Sequence, residues 1–460
     1  MCERVARHCD GLRANGHTHG LMDMRGIVVA GTHSGCGKTT LSMGLMAALS
    51  RRYRVQPYKV GPDFIDPSHH TAICKRPSVN LDTFMMGVDG VREAYARYSA
   101  DADISVVEGV MGMFDGMDTT EIASTAHVAK VLNLPVVLVV NVRSMSRSAA
   151  ALVKGYVEYD PRVDVAGVIL NGVASENHER LVREPIEALG IRVLGAVPRV
   201  RELSMPSRHL GLHMAHEGSL DVEQLRSLIE EYVDLDCLLE LAHSAEVPLP
   251  DEDDEQHEHI RLGVAYDAAF CFYYHDLLEH LRRSGASLTF FSPLRGEVPE
   301  VDGLYIGGGY PELHAHALEH SPTTSWIRTV AEDGMPIYGE CGGLMYLCER
   351  LAEGEDTHAM CGVLPATTTM TKRLMALAYV EAEVIRHNAI MQRPIKGHEF
   401  HYSITQCRGD ARLAYRLRGG VGIRDGMDGL VEHCTLASYT HVATFDPTHF
   451  MESCRRYART

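Results

Sequence analysis

The sequence predicts an α/β fold in two successive lobes, the first built on a parallel sheet covered by helices on both sides. Three observations predict it. Short runs that are apolar on both faces, such as Gly26–Ala30 and Leu134–Val140, alternate with helical stretches, as buried parallel strands do. The first of these strands runs into a glycine-rich turn ending Gly37-Lys38-Thr39 and then a helix. A Pro-rich and acidic stretch after residue 246 separates this pattern from a second α/β alternation that begins at Arg261.

The bulk properties agree with that division. A chain of 460 residues has room for two or three domains, and 45% hydrophobic residues suffice for packed cores. A formal net charge of −17 argues against a nucleic-acid or membrane-surface partner, and an anionic substrate would need a local basic patch. The 12 cysteines form no CxxC pair and no regular spacing, which points to reduced thiols and a cytoplasmic setting. No apolar run reaches the ~18 residues of a membrane span, and the N-terminus lacks a signal-peptide core. The residues do not fix the oligomeric state and leave room for a homodimer.

Residues 1–24 are unlike the rest and are expected to be a disordered extension, although Cys2, Cys9, His17 and His19 also suit a metal. The strand from Arg25 to Ala30 leads into Gly31-Thr32-His33-Ser34-Gly35-Cys36-Gly37-Lys38-Thr39-Thr40, and a helix from Leu41 to Ser50 follows. This is the order of a phosphate-binding loop. Backbone N–H groups around Gly35 and Gly37 would cradle phosphate oxygens, Lys38 would neutralise the outer phosphates, and the Thr39 hydroxyl would reach Mg²⁺, with Thr40 beside it. The gap between Gly31 and Gly37-Lys38 is five residues, where four is usual.

The second strand, Val55–Val60, ends in Gly61-Pro62-Asp63-Phe64-Ile65-Asp66-Pro67. Asp63 and Asp66 at a strand's carboxyl edge suit metal or substrate work, and equally suit plain turn chemistry. Asp82 is a third carboxylate of the same kind. The strand Ile104–Val107 ends at Glu108, the position from which a carboxylate usually meets the Mg²⁺ of a phosphate-loop protein. Asp115, in the loop beyond, either assists or makes an Asp-Gly turn. Asn141 and Arg143 close the strand Leu134–Val140, where nucleotide bases are often read. Val165–Leu170 is a further strand, Glu176–Leu189 a helix, and Arg192–Val197 another strand. The first lobe is expected to span residues 25–245, an acidic linker 246–259, and the second lobe 260–455.

In the second lobe, Arg261–Tyr266 is a strand, Phe272–Ser284 a helix, and Ser287–Phe291 and Gly303–Ile306 strands. Gly339-Glu340-Cys341-Gly342-Gly343 then follows a short apolar run and precedes a helical one. A cysteine on a glycine-framed strand-to-helix turn stands clear of its sheet, in the manner of an acyl-transfer nucleophile. The N–H of Gly342 would stabilise an oxyanion there, and the loop Gly307-Gly308-Gly309 supplies a second donor at Gly309. The alternative for Cys341 is a buried free thiol.

Together these motifs carry a resemblance. The first half is similar to dethiobiotin synthetase-type ATPases, which share the five-residue gap, and the second to class I glutamine amidotransferases. The tandem, with Lys59-Val60-Gly61-Pro62-Asp63, Glu108-Gly109-Val110-Met111-Gly112, Gly308-Gly309-Tyr310-Pro311-Glu312 and Gly397-His398-Glu399-Phe400-His401, resembles the cobyrinic acid a,c-diamide synthases. That family also includes the Ni-sirohydrochlorin a,c-diamide synthases of coenzyme F430 assembly. The resemblance implies ATP, Mg²⁺ and glutamine, and an anionic tetrapyrrole whose carboxylates become amides. It implies that Lys38, Thr39 and Glu108 hold Mg-ATP. It places Lys59, Asp63, Asp66, Asp82 and Asp115 near the nucleotide and the reacting carboxylate, and makes Cys341 the nucleophile with His441 as its base. Many such enzymes carry a Glu two residues after that His; here Ala443 stands there, so a Cys–His dyad is expected, with His449 as the other possible base. Two sites would then share a dry passage. Rival readings are a cobyric acid synthase, and a partitioning-type ATPase with an inactive second lobe. The metal in the ring, cobalt, nickel or none, is not legible from residues that touch carboxylates.

Overall fold

A computed structural model describes residues 22–199, 207–208, 211–212, 214–215, 218, 220–247 and 260–459. Cys2, Cys9, His17 and His19 lie outside the described residues, as do 248–259 of the acidic linker.

The first sheet has eight strands, seven of them parallel: β1 (Met22–Gly31), β2 (Val55–Val60), β3 (Val79–Leu81), β4 (Ile104–Glu108), β5 (Val136–Asn141), β6 (Val165–Val173) and β7 (Arg192–Pro198), in the order β3-β2-β4-β1-β5-β6-β7. β1 lies between β4 and β5; the chain passes from β1 to β2 on one side and from β4 across β1 to β5 on the other, so the sheet's switch point lies at the carboxyl end of β1. Ligands of open α/β sheets sit at such a crevice. The helices α1 (Lys38–Leu49) and α2 (Ile65–Cys74) both start there. One face packs on Leu41, Leu45 and Met46 of α1, the other on Tyr95, Ala126 and Val128.

The edges of this lobe differ from expectation. β1 begins at Met22, inside the expected extension, because its first half pairs antiparallel with His243–Val247, Met22 opposite Val247. That pairing carries the lobe past residue 245. β5 starts at Val136 rather than Leu134, since Pro135 has no N–H to give a neighbouring strand. The helix expected from Phe272 spans His275–Arg283, because Phe272 is engaged in a bridge to Gly308.

The second sheet has ten strands, and half of it is parallel: Ile260–Ala265, Ala286–Phe291, Gly303–Ile306, Ile337–Glu340 and Thr435–Ser438. The other half is antiparallel and includes Ala376–Val384, Ile395–His401, Arg412–Arg418 and Met427–Glu432. A separate four-stranded sheet contains Cys348–Glu353 and Leu364–Met370. The βα alternation therefore stops after Leu347. Beyond it, Thr-rich runs with alternating burial such as Leu364–Met370 favour hairpins and meanders.

The two sheets belong to one packed unit. Phe84, Met85 and Ala123 of the first share an apolar cluster with Tyr274, Ile390 and Met391 of the second. Tyr379 Oη donates to Asp82 Oδ2 at 2.6 Å, and Tyr98 Oη to Asp276 Oδ1 at 2.9 Å.

Candidate active site

The phosphate loop is held open by backbone geometry. Gly35 (φ 81°) and Gly37 (φ 98°) both occupy the left-handed region that a side chain resists. A Cβ at Gly35 would meet nothing within 4 Å, whereas one at Gly37 would lie 2.0 Å from Asn171 Nδ2. Asn171, at the end of β6, donates that amide to Cys36 O at 2.8 Å and so braces the loop from below. Asn141, at the end of β5, accepts from Arg143 N at 3.1 Å through its Oδ1 and closes its own turn.

Beside the loop stands a buried cluster of acids. Thr39 Oγ1 donates to Glu108 Oε1 at 2.6 Å and lies 3.4 Å from Asp66 Oδ2. Lys59, only 2% exposed, places Nζ 2.9 Å from Glu108 Oε1 and 3.8 Å from Asp63 Oδ2, and donates a short bond to Asp66. His70 Nε2 meets Glu108 Oε2 at 2.7 Å. Burial opposes the charge on Glu108, but Lys59, the His70 hydrogen bond and Lys38 hold its carboxyl well below the usual range. Asp66 moves the other way: burial and the charge of Asp63 push it up to about 8 despite Lys59. A threonine hydroxyl with one or two hard carboxylates beside a phosphate loop fits Mg²⁺ carried in with a nucleotide. Among the described residues no group of three or more His, Cys, Asp or Glu is placed to hold a metal ion. His70 was not foreseen, because in sequence it is one of two adjacent histidines inside a helix.

Two of the expected acids stand outside that cluster, Asp82 against Tyr379 of the cleft wall and Asp115 near Thr32 of the phosphate loop. Asp82 is fully buried at the interface between the sheets; its Oδ1 accepts from Phe84 N and Met85 N, and its Oδ2 from Tyr379. Asp115 is exposed and closes a turn by accepting from Gly112 N at 2.8 Å. Both follow the turn chemistry of aspartate.

The second centre is set by strand register. Glu340, the last residue of its strand, pairs with Ser438 of the adjacent parallel strand. Both chains continue past the sheet edge, so Cys341 and His441 emerge side by side. Cys341 turns sharply (φ 47°, ψ −95°), an unusual conformation for a residue with a side chain, and its N–H bonds Ser438 O at 2.7 Å. A Cβ on Gly342 would lie 3.0 Å from Gly309 N, so the two proposed oxyanion donors abut. Burial opposes a charge on His441, yet hydrogen bonds and charges of Cys341 and Glu340 outweigh it and raise the imidazole to about 10. The neighbouring His398 is driven well below its usual range by burial and His441, and His401 falls to about 4. His441 is thus the one of these three imidazoles that stays protonated at neutral pH. His449 packs against His387 and Glu452 on the last helix, Thr448–Tyr457, away from the cleft lining.

A cleft of about 1330 Å³ runs from the edge of the acid cluster, at Asp63, to Cys341 and His441. Its lining runs from Asp63, Phe64 and Val110 of the first lobe to Gly309, Cys341 and His441 of the second. Phe64 lies between them, stacked 5.0 Å from Phe272 and 5.3 Å from His441. The basic patch expected for an anionic substrate is sparse: Lys372 lines the cleft, together with Asp63, Asp118, Glu312 and Glu353. Met111, Leu313 and Leu377, all substantially exposed, give it an apolar rim.

Comparison with known proteins agrees with this arrangement. Residues 27–212 match the CobQ/CobB/MinD/ParA nucleotide binding domain, and 261–449 match the CobB/CobQ-like glutamine amidotransferase domain. Cobyrinate a,c-diamide synthase of Caldanaerobacter subterraneus subsp. tengcongensis is 43% identical over 95% of this chain and 99% of its own. Those of Methanosphaera stadtmanae (42% identical, 92% of this chain, 96% of that one) and Archaeoglobus fulgidus (43%, 92% and 94%) are similar. Among solved structures, PurLQS from Thermotoga maritima covers 44% of this chain and 99% of that chain, at 15% identity and a TM-score of 0.34. The chain is a glutamine-dependent, amide-forming ligase, and it belongs to the cobyrinate a,c-diamide synthase family.

Proposed function

We propose that the chain amidates the a- and c-side-chain carboxylates of a cobyrinate-type tetrapyrrole in cobalamin biosynthesis, with ATP as the activating reagent and ammonia drawn from glutamine. The names of the relatives support the substrate. The observation that carries the division of labour is the single cleft lined by both Asp63 and Cys341.

A carboxylate does not react with ammonia, because oxide is not a viable leaving group. Mg-ATP, when bound, supplies the phosphoryl group that turns the carboxylate into an acyl phosphate. Lys38 and the loop N–H groups hold the phosphates, and Thr39, Glu108 and Asp66 would hold the cation. Lys59 keeps the crowded acids in register, and Asp63, on the cleft wall, faces the carboxylate to be activated.

At the other end, the Cys341 thiolate attacks the glutamine side-chain amide. N–H groups of Gly342 and Gly309 stabilise the oxyanion. His441, already protonated, delivers its proton to the departing ammonia; the neutral ring then takes a proton from the water that cleaves the thioester, which releases glutamate and restores the thiolate. Ammonium in bulk water is inert as a nucleophile near neutral pH, so release of neutral ammonia inside the cleft, past Phe64, is the point of joining the two centres. Met111, Leu313 and Leu377 would take the apolar face of the macrocycle, and Lys372 one of its carboxylates.

The test is a substrate panel of cobyrinate, hydrogenobyrinate and Ni-sirohydrochlorin, each with Mg²⁺, ATP and glutamine labelled with ¹⁵N at the amide. The expected product is a cobyrinate diamide with both amide nitrogens labelled. Diamidation of Ni-sirohydrochlorin alone would move the assignment to coenzyme F430 assembly, amides at other side chains to a cobyric acid synthase, and no label in any product would overturn the reading.

A further inference from the structure

Glu340 immediately precedes the nucleophile, yet its side chain does not join Cys341. It points into the protein, is 1% exposed, and faces the base: its Oε2 lies 3.4 Å from Nδ1 of His441, itself 2% exposed. That Nδ1 is buried and has no hydrogen-bond partner among the described residues, so the carboxylate meets it as an ion pair. The second carboxylate oxygen, Oε1, accepts from Tyr338 Oη at 2.7 Å and stands 3.4 Å from Val442 N, the residue after the histidine. A carboxylate withdrawn this far from water is retained only with a cation or several donors around it. The surrounding hydroxyls of Tyr273, Tyr274, Tyr305, Tyr338 and Tyr415 are all driven well above their usual range, mainly by burial, and so are neutral. His441 is the partner of opposite charge.

The geometry points to Glu340 as the positioning residue of the glutaminase centre. It holds His441 through Nδ1 and leaves Nε2 for the thiol. The position two residues after His441, where a carboxylate would orient the ring from the far side, is occupied by Ala443. Here the same chemistry is delivered from the near side, by the residue before the nucleophile. Strand register makes this possible. Glu340 is opposite Ser438, and the chain beyond Ser438 turns back so that Val442 N also reaches the carboxylate. One strand end therefore supplies both the nucleophile and the group that orients its base. This inference rests on the proposed role of Cys341 and adds a third member to it.

The test compares Glu340→Gln and Glu340→Asp with the parent enzyme in three assays. Glu340→Gln keeps size and removes charge, so glutaminase kcat is expected to fall by about 10²–10⁴-fold, by analogy with loss of the buried carboxylate of a Ser-His-Asp triad, with KM for glutamine little changed. Synthesis driven by ammonium salts should stay within about twofold of the parent, which separates positioning from a folding defect. NMR of the imidazole should show the His441 titration moved to lower pH in Glu340→Gln and partly restored in Glu340→Asp. The inference is overturned if glutaminase survives Glu340→Gln within threefold, if ammonium-driven synthesis falls in parallel, or if the titration does not move. The underlying assignment fails separately, if Cys341→Ala still uses glutamine.

Discussion

Lys59→Met removes a cation from the centre of the acid cluster and keeps most of the side chain's length. Lys59 is 2% exposed and Glu108 is fully buried, so water cannot replace the lost charge. Glu108, Asp66 and Asp63 all lie within ion-pair distance of Nζ, and without it they face one another. Removing one partner of a buried ion pair costs about 3–5 kcal/mol. In a lobe of this size 1 kcal/mol moves the melting midpoint by about 2–4 °C, so a drop of roughly 6–20 °C is expected. Asp66 already lies near 8, so it can take up a proton and relieve part of the repulsion, which favours the lower half of that range. Scanning calorimetry of the full chain without nucleotide measures the drop. Added Mg²⁺ should recover more of it in the variant than in the parent, since the freed carboxylates then hold the cation. A midpoint within about 2 °C of the parent would refute the view that Lys59 holds this cluster together.

Gly342→Ala should reduce glutaminase kcat by about 10²–10³-fold, because the new methyl must push Gly309 N away from the oxyanion position; stopped assays of glutamate release check this, and synthesis from ammonium should persist. His441 gives a pH dependence with a definite sign. Its folded-state value is raised to about 10 by Cys341 and Glu340, above the ordinary 6.5, so its contribution to stability is complete below about pH 6.5 and is lost as pH rises toward 10. Melting midpoints from pH 6 to 10 should therefore fall less in His441→Gln than in the parent, and equal slopes would contradict the pairing.

What was legible in the sequence was whatever the chain announces locally. The strand, the glycines and Lys38-Thr39 of the phosphate loop lie within a dozen residues of one another, and the frame around Cys341 is equally short. Glu108 was legible from its place at a strand tip. Contacts made by register or across lobes were not. Glu340 looks like part of the nucleophile's turn until Ser438 is known to lie opposite. His70 meets Glu108 only because α2 packs back on β2, the strand beside β4, and Asp82 takes its partner, Tyr379, from the other lobe. Asp63, Asp82 and Asp115 all cap backbone N–H groups, Asp63 Oδ1 accepting from Ile65 N and Asp66 N, and sequence alone cannot say which of them also stands beside Lys59. The antiparallel half of the second sheet was missed for a related reason: short, Thr-rich runs fix neither partner nor direction.

The division of labour between the two centres is tested most directly by Cys341→Ala assayed with each nitrogen source in turn. Glutamine-driven amide formation should be lost, while ammonium salts near pH 8.5, with Mg²⁺, ATP and the tetrapyrrole, should support synthesis within about threefold of the parent enzyme under the same conditions. Retained glutamine use, or failure of ammonium to restore synthesis in a correctly folded variant, would contradict the account.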